Sequence, residues 1–150
     1  NETKNIIKSL KPDMGVILGT HIIKQDVISL FPFGILNLHT GILPRYRGLR
    51  SEFWALYNKD FNNIGVSIIK IDRGIDSGAI LSQKRIKLDR RYRESDLICK
   101  NIEIGTELMI KTIKNFRKIK SKKQINGDYY SGPSMIDSII VRLNKIFFYL

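Results

Sequence analysis

Apolar and polar side chains alternate most clearly over residues 35–39, where Ile35, Asn37 and His39 take one side of a two-residue period and Leu36 and Leu38 the other. That period predicts a strand with two different faces. Two polar side chains on one face of an apolar strand are unfavourable unless something hydrogen-bonds them, so Asn37 and His39 need partners. Gly41, Pro44 and Gly48 end the alternation, as a loop leaving the carboxyl end of a strand does. In open α/β sheets, ligands bind at that end.

Upstream, residues 5–11 read as the tail of a helix stopped by Pro12, 14–18 as a short buried strand, and 19–21 as its exit loop. Residues 26–31 have helical spacing, with Val27, Ile28, Leu30 and Phe31 available for a core. Pro32, Phe33 and Gly34 then turn the chain into the alternating strand. Strand, helix, strand in this order is the βαβ unit of a parallel sheet.

Downstream, residues 51–57 read as a helix with Ser51 as its N-cap, Glu52 in its first turn, and an apolar face of Phe53, Trp54, Leu56 and Tyr57. Asn62 and Asn63 make a turn before a strand at 64–71, and 79–88 forms another strand, polar on one side at Ser82 and Lys84. Ser95 and Asp96 open a long helix to about Phe116. Leu97, Ile98, Ile102, Leu108, Met109, Ile113 and Phe116 recur there near helical spacing, with Gly105 at a point of close packing. Cys99 falls on the apolar side as an inert core thiol. A polar loop at 124–133 carries the adjacent Tyr129 and Tyr130, expected to clasp the domain edge rather than stack on a ligand. Residues 135–150 form an amphipathic helix that must pack on the protein, a partner or a membrane surface. The predicted fold is α/β with a mostly parallel sheet, divided into a core of residues 1–120 and a C-terminal loop and amphipathic helix of residues 121–150.

A chain of 150 residues suits one domain with a real core, and 43% hydrophobic with 27% charged residues are the proportions of a water-soluble fold. The single cysteine excludes a disulfide framework and fits a cytoplasmic setting, and no apolar run is long enough for a spanning helix. The net charge of +12 invites an anionic partner: tRNA, a nucleotide-sugar or polyglutamylated folate. Yet the charge is spread as solvated surface, dense only over residues 114–123. His21, His39 and Asp76 lack the short spacing and cysteine partners of a metal site, so no metal is expected.

A second patterned stretch is Ile71-Asp72-Arg73-Gly74-Ile75-Asp76-Ser77-Gly78-Ala79-Ile80-Leu81, where two acids bracket a tight turn before an apolar strand. With Asn37 and His39, and with Leu43-Pro44-Arg45-Tyr46-Arg47-Gly48, it resembles the folate-dependent formyltransferase family, over about residues 12–86. That family includes glycinamide ribonucleotide, methionyl-tRNA and nucleotide-sugar formyltransferases. The resemblance implies a Rossmann-like catalytic core with 10-formyltetrahydrofolate as formyl donor. It also implies several strand–helix units ahead of the Asn37 strand. Only one strand precedes it here, so the core is expected to be N-terminally truncated, with an open sheet edge.

Formyl transfer takes a carbonyl carbon from a folate nitrogen to an amine through a tetrahedral intermediate whose oxygen gathers negative charge. Such a site needs a donor aimed at that oxygen and a group that moves protons. Asn37 offers an amide N–H, His39 donates to the oxyanion or shuttles the amine proton, and Asp76 orients His39 or takes the proton through water. By resemblance, Asn37, His39 and Asp76 are the family's three catalytic positions. It likewise implies that His21, Ile22 and Ile23, with Ile71 and Asp72, hold the pterin ring through backbone groups and apolar contacts. Arg45, Tyr46 and Arg47 are candidate acceptor-binding residues, for a phosphate or carboxylate; the alternative is a loop pinned to neighbouring acids.

The expected acceptor is an amino sugar linked to a nucleotide, because Leu49-Arg50-Ser51-Glu52-Phe53-Trp54 departs from the Ala-Ala-Pro run of the tRNA enzymes and no separate tRNA-binding domain follows the core. Methionyl-tRNA is the second candidate. The rivals are a formyltetrahydrofolate hydrolase, with water as nucleophile, and a non-catalytic domain that binds a folate or partner subunit. The C-terminal helix is a candidate surface for an oligomer.

Overall fold

A computed structural model of the chain describes residues 2–89 and 92–146, without the side chains of 144–146. The strands are β1 (Gly15–Leu18), β2 (Ile35–His39), β3 (Arg47–Gly48), β4 (Gly65–Lys70), β5 (Ala79–Arg85) and β6 (Tyr129–Tyr130). The helices are α1 (Glu2–Leu10), α2 (Gln25–Ile28), α3 (Ser51–Tyr57), α4 (Glu94–Asn115) and α5 (Met135–Ile146). Four strands lie side by side in the order β1-β2-β4-β5, and β3 pairs with β6 in a separate two-stranded ribbon.

The α/β class stands, while the strand directions need a correction in detail. β1 and β2 run parallel, joined through α2 as the βαβ pattern requires. β4 is antiparallel to both β2 and β5. A parallel return needs a crossover of about a dozen residues or more, and the 71–78 connection between β4 and β5 is too short for one. Among the described residues β1 is paired on one side only, and its Val16 and Leu18 are about half exposed.

The alternation in β2 sorts its side chains as expected. Leu36 and Leu38 join Val66, Ile68 and Met109 in a core beneath α4, completed by Met14, Leu81, Ile104, Leu108 and Phe116. A second core gathers Phe53, Ala55 and Leu56 of α3 with Tyr46, Ile64, Ile86, Leu97 and Val141 of α5. α5 therefore packs on the protein through Val141, while Met135, Ile136, Ile139 and Leu143 are exposed; residues 147–150 of the expected helix lie outside the described residues. Among the described residues, no helix is long and apolar enough to cross a membrane.

The inner stripe of α4 differs from the periodicity reading. Leu97, Asn101, Gly105, Met109 and Thr112 are buried, whereas Ile102, Ile113 and Cys99 are exposed, so Cys99 is not a core thiol. The stripe is centred on Gly105, which lets the helix approach Leu38. Its polar members are hydrogen-bonded in part: Asn101 Nδ2 donates to Glu52 at 3.0 Å while its buried Oδ1 has no partner among the described residues, and the Thr112 hydroxyl lies 2.7 Å from the Leu108 carbonyl and 2.6 Å from Ser82 Oγ. A Cβ on Gly105 would come within 2.8 Å of Leu38 Cδ1. Gly105→Val is therefore expected to lower stability by about 2 kcal/mol through overpacking, read as a fall in the urea midpoint at unchanged slope.

Candidate active site

The face of β2 turned away from α4 carries Asn37 and His39, and Asp76 meets it from the 71–78 loop. Because β4 is antiparallel, this loop starts beside the amino end of β2, where the Ile71 amide donates to the Ile35 carbonyl at 3.0 Å. It then brings Asp76 back over Asn37 and His39. The cluster thus sits on the sheet face as well as at the carboxyl end of the strand, a correction to the end-of-strand expectation. Asn37 Nδ2 donates to Asp76 Oδ1 at 3.3 Å, His39 Nδ1 lies 3.4 Å from Asp76 Oδ2, and the Gly48 amide donates to the same Oδ2 at 3.0 Å. Asp76 holds this place with φ +49°, a left-handed conformation that Asp and Asn tolerate better than other side chains. His39 is buried, with its second nitrogen, Nε2, 2.6 Å from the Tyr46 carbonyl oxygen.

The frame around these three residues comes from Ser67, Gln83 and Gln124, which the sequence left unassigned, and from Ser51, which it assigned to another role. Ser67 of β4 donates to the Gly41 carbonyl at 2.6 Å and accepts from the Leu43 amide at 3.1 Å. Gln83 of β5 donates to the Leu43 carbonyl and to Ser67 Oγ, both at 2.8 Å. Together they fix the loop that follows His39. Gln124 does the same for the Asp76 loop, its amide N–H2 donating to the carbonyls of Asp76 at 2.8 Å and Gly78 at 2.7 Å. Ser51 is not an N-cap: Arg50 precedes it with φ +54°, and the buried Ser51 hydroxyl reaches His39 Nε2 at 3.1 Å and the Tyr46 carbonyl at 3.2 Å.

The three candidate acceptor residues are mostly committed to the protein itself. Tyr46 is in the core, its ring stacked on Tyr130 at 5.4 Å, so it holds the loop and does not face a ligand. Tyr130 also lies 5.1 Å from Trp54, which makes it the expected clasp, whereas Tyr129 is exposed. Arg45 pairs with Asp60 at 2.5 Å, and Arg47 donates to the Gly127 carbonyl at 3.1 Å, leaving its buried Nε without a partner.

Burial alone pushes the Asp60 carboxyl up. Hydrogen bonds from Asn63 and Tyr46, with the charge of Arg45, outweigh it and hold the carboxyl below its ordinary value. A carboxyl depressed in the folded state adds stability that is complete above its unfolded value and is lost as pH falls through the folded one. Asp60→Asn should therefore cost stability at neutral pH and progressively less below about pH 4, checked by urea unfolding across that window.

Of the expected donor-binding residues, His21 and Ile22 are exposed and Ile23 is half-buried, all in the loop after β1. Ile71 sits at the opposite end of β2, about 13 Å away by strand rise. The Asp72 carboxylate is tied to its own loop through Oδ1, which accepts from the Gly74 amide at 3.0 Å and the Ser77 hydroxyl at 2.7 Å.

The sequence matches the family described as formyl transferase over residues 1–113, beyond both ends of the motif-bearing stretch. The methionyl-tRNA formyltransferase of Thermodesulfovibrio yellowstonii is 34% identical over 131 residues, 86% of this chain and 42% of that protein. That of Finegoldia magna is 34% identical over 145 residues, 95% of this chain and 46% of that one. The chain thus spans less than half the length of these relatives. Among solved structures, a 4-N formyltransferase from Francisella tularensis superposes with a TM-score of 0.73 at 20% identity, covering 95% of this chain and 65% of that one, a likeness of fold. WlaRD, a sugar 3N-formyl transferase crystallised in the presence of dTDP and 5-N-formyl-THF, gives 0.69 at 26% identity, covering 83% of this chain and 47% of that one.

Proposed function

The chain belongs to the formyl transferase family, and on that footing we propose that it moves a formyl group from 10-formyltetrahydrofolate to an amine. The observation that carries this is the convergence of Asn37 and His39 on the Asp76 carboxylate, on the sheet face turned away from α4. The amine nitrogen attacks the formyl carbon, the bond from that carbon to folate N10 breaks, and the proton lost by the amine goes to N10. Asn37 Nδ2 supports the oxyanion, worth about 3 kcal/mol of barrier in comparable sites. His39 carries the proton and Asp76 balances its charge. The folate is proposed to lie along β2, touching the 21–23 loop at one end and the backbone of Ile71 and Asp72 at the other. We propose the cytoplasm as the setting of the reaction, which the single cysteine supports.

For the acceptor, an amino sugar linked to a nucleotide is the reading taken here, in line with WlaRD. The 34% identity to methionyl-tRNA formyltransferases favours tRNA as a second reading. Calorimetry with 5-formyltetrahydrofolate tests the donor: micromolar binding that Asp76→Ala weakens is the expected result, and a folded chain that binds nothing overturns it. Formyl transfer to a dTDP-linked amino sugar, beside a tRNA gel shift at rising salt, separates the acceptors, since phosphate contacts weaken steeply with salt. Formate released without any amine would instead make water the nucleophile.

A further inference from the structure

His39 has a hydrogen-bond acceptor on each side. Nδ1 faces Asp76 Oδ2 at 3.4 Å, and Nε2 faces the Tyr46 carbonyl oxygen at 2.6 Å. A carbonyl oxygen has lone pairs and no proton, so for as long as it is held 2.6 Å away Nε2 carries the hydrogen. The opposite tautomer would press two lone pairs together at that distance, whereas a bare Nδ1 meets the carboxylate oxygen only at 3.4 Å, beyond the usual hydrogen-bond range. Ser51 completes the arrangement. Its hydroxyl donates to the same carbonyl, and its oxygen, 3.1 Å from Nε2, shares the N–H as a second acceptor. Both side chains are buried, so water does not compete for these bonds. Gly41 leaves the room: a Cβ there would come within 2.5 Å of Ser51 Oγ and 2.7 Å of His39 Nε2.

We propose that Ser51 is a positioning residue that, with the Tyr46 carbonyl, fixes neutral His39 in its Nε2–H form, so that Nδ1 is the nitrogen that exchanges the acceptor amine's proton. The tautomer stands on geometry alone; its part in turnover rests on the formyl-transfer reading. In the reaction, the unprotonated Nδ1 takes the proton that the amine loses on forming its bond to the formyl carbon. The resulting imidazolium has an N–H on each side, one to the Tyr46 carbonyl and one to the Asp76 carboxylate. It returns the Nδ1 proton to N10 as the carbon–N10 bond breaks, and His39 ends as it began. A ring free to change tautomer would spend part of its time with Nδ1 already protonated and unable to accept.

The test is nitrogen-15 spectroscopy of the His39 ring in the full chain, with Ser51→Ala and Ser51→Thr beside the wild type. The expected wild-type spectrum has Nε2 protonated and Nδ1 bare when the ring is neutral. Ser51→Ala removes the hydroxyl that holds the Tyr46 carbonyl beside Nε2, so the carbonyl should draw back and the Nδ1–H form gain population, and Ser51→Thr should restore the original pattern. Losing one neutral hydrogen bond predicts a fall in kcat of about tenfold with KM for the amine unchanged, recovered in Ser51→Thr. A merely structural serine would lower the melting temperature and leave the ring spectrum alone. A wild-type ring with Nδ1 protonated, or a Ser51→Ala ring identical to wild type, overturns the proposal. The spectrum needs no turnover, so absence of formyl transfer beside the expected tautomers would fail the functional reading and leave the assignment of Ser51 intact.

Discussion

Asp76→Asn is expected to leave the chain folded and to slow formyl transfer on the order of a thousandfold. The exchange replaces one oxygen with an amide nitrogen of nearly the same size, and asparagine accepts the left-handed backbone at this position, φ +49°. What changes is how many donors the side chain can satisfy. Asp76 accepts from Asn37 through Oδ1 and from the Gly48 amide through Oδ2. An asparagine has one oxygen for two donors. The Gly48 amide is part of the backbone and cannot turn, so the new oxygen goes there and the new N–H2 confronts Asn37 Nδ2. Asn37 must then rotate its own oxygen inward, and its N–H moves away from the proposed oxyanion position. The imidazolium of His39 loses its counter-charge in the same step. One atom thereby mis-sets both groups. The comparison is kcat at saturating donor and amine against the thermal midpoint. A drop in kcat below tenfold, with the fold intact, would mean that Asp76 only shapes its loop.

How much of this was legible in the sequence varies with the range of the contact. The alternation of Ile35 to His39 placed Asn37 and His39 on one face because a strand's period is a local property. Asp76 and Gly78 could be read because the stretch from Asp72 to Gly78 resembles the formyltransferase pattern; the residues alone indicated only a tight turn. The framing residues left no such mark. Ser67 and Gln83 look like ordinary polar strand positions, yet they close the loop after His39 from two other strands. Gln124 reaches the Asp76 carbonyl from 48 residues away. Ser51 was misread as a cap because its position before an apolar run has that signature; the left-handed Arg50 ahead of it turns the hydroxyl inward. In α4 the apolar residues outnumber the inward positions, so periodicity alone could not choose among them. Gly105 against Leu38 decided it, and Cys99 went to the exposed side. The antiparallel course of β4 was equally hidden, since strand direction follows from connection geometry and not from composition.

The largest loss of stability is expected at Gly48→Ala, about 3 kcal/mol or more, with loss of folate binding at temperatures where the wild type binds. Gly48 has φ +95°, which costs a residue with a Cβ about 1–2 kcal/mol. A Cβ here would also overlap the Tyr130 carbonyl oxygen and lie 2.9 Å from Tyr129 Cε2. The oxygen belongs to β6, which is held against β3 by backbone bonds, including Leu49 N to that same Tyr130 carbonyl at 2.9 Å. The overlap can therefore be relieved only by parting the ribbon. When β6 moves, Tyr130 leaves its stack on Tyr46 and Trp54, and the Trp54 bond to the Ser131 carbonyl goes with it. The displacement also reaches the proposed active site directly, because the Gly48 amide is the backbone donor on Asp76 Oδ2. The neighbouring Leu49→Ala is the control: its side chain is exposed, so it should shift the urea midpoint little and leave donor binding unchanged. Equal effects of the two substitutions would show that the ribbon is a surface attachment. A selective loss at Gly48 makes it the backbone hinge that joins the C-terminal segment to the Asp76 carboxylate.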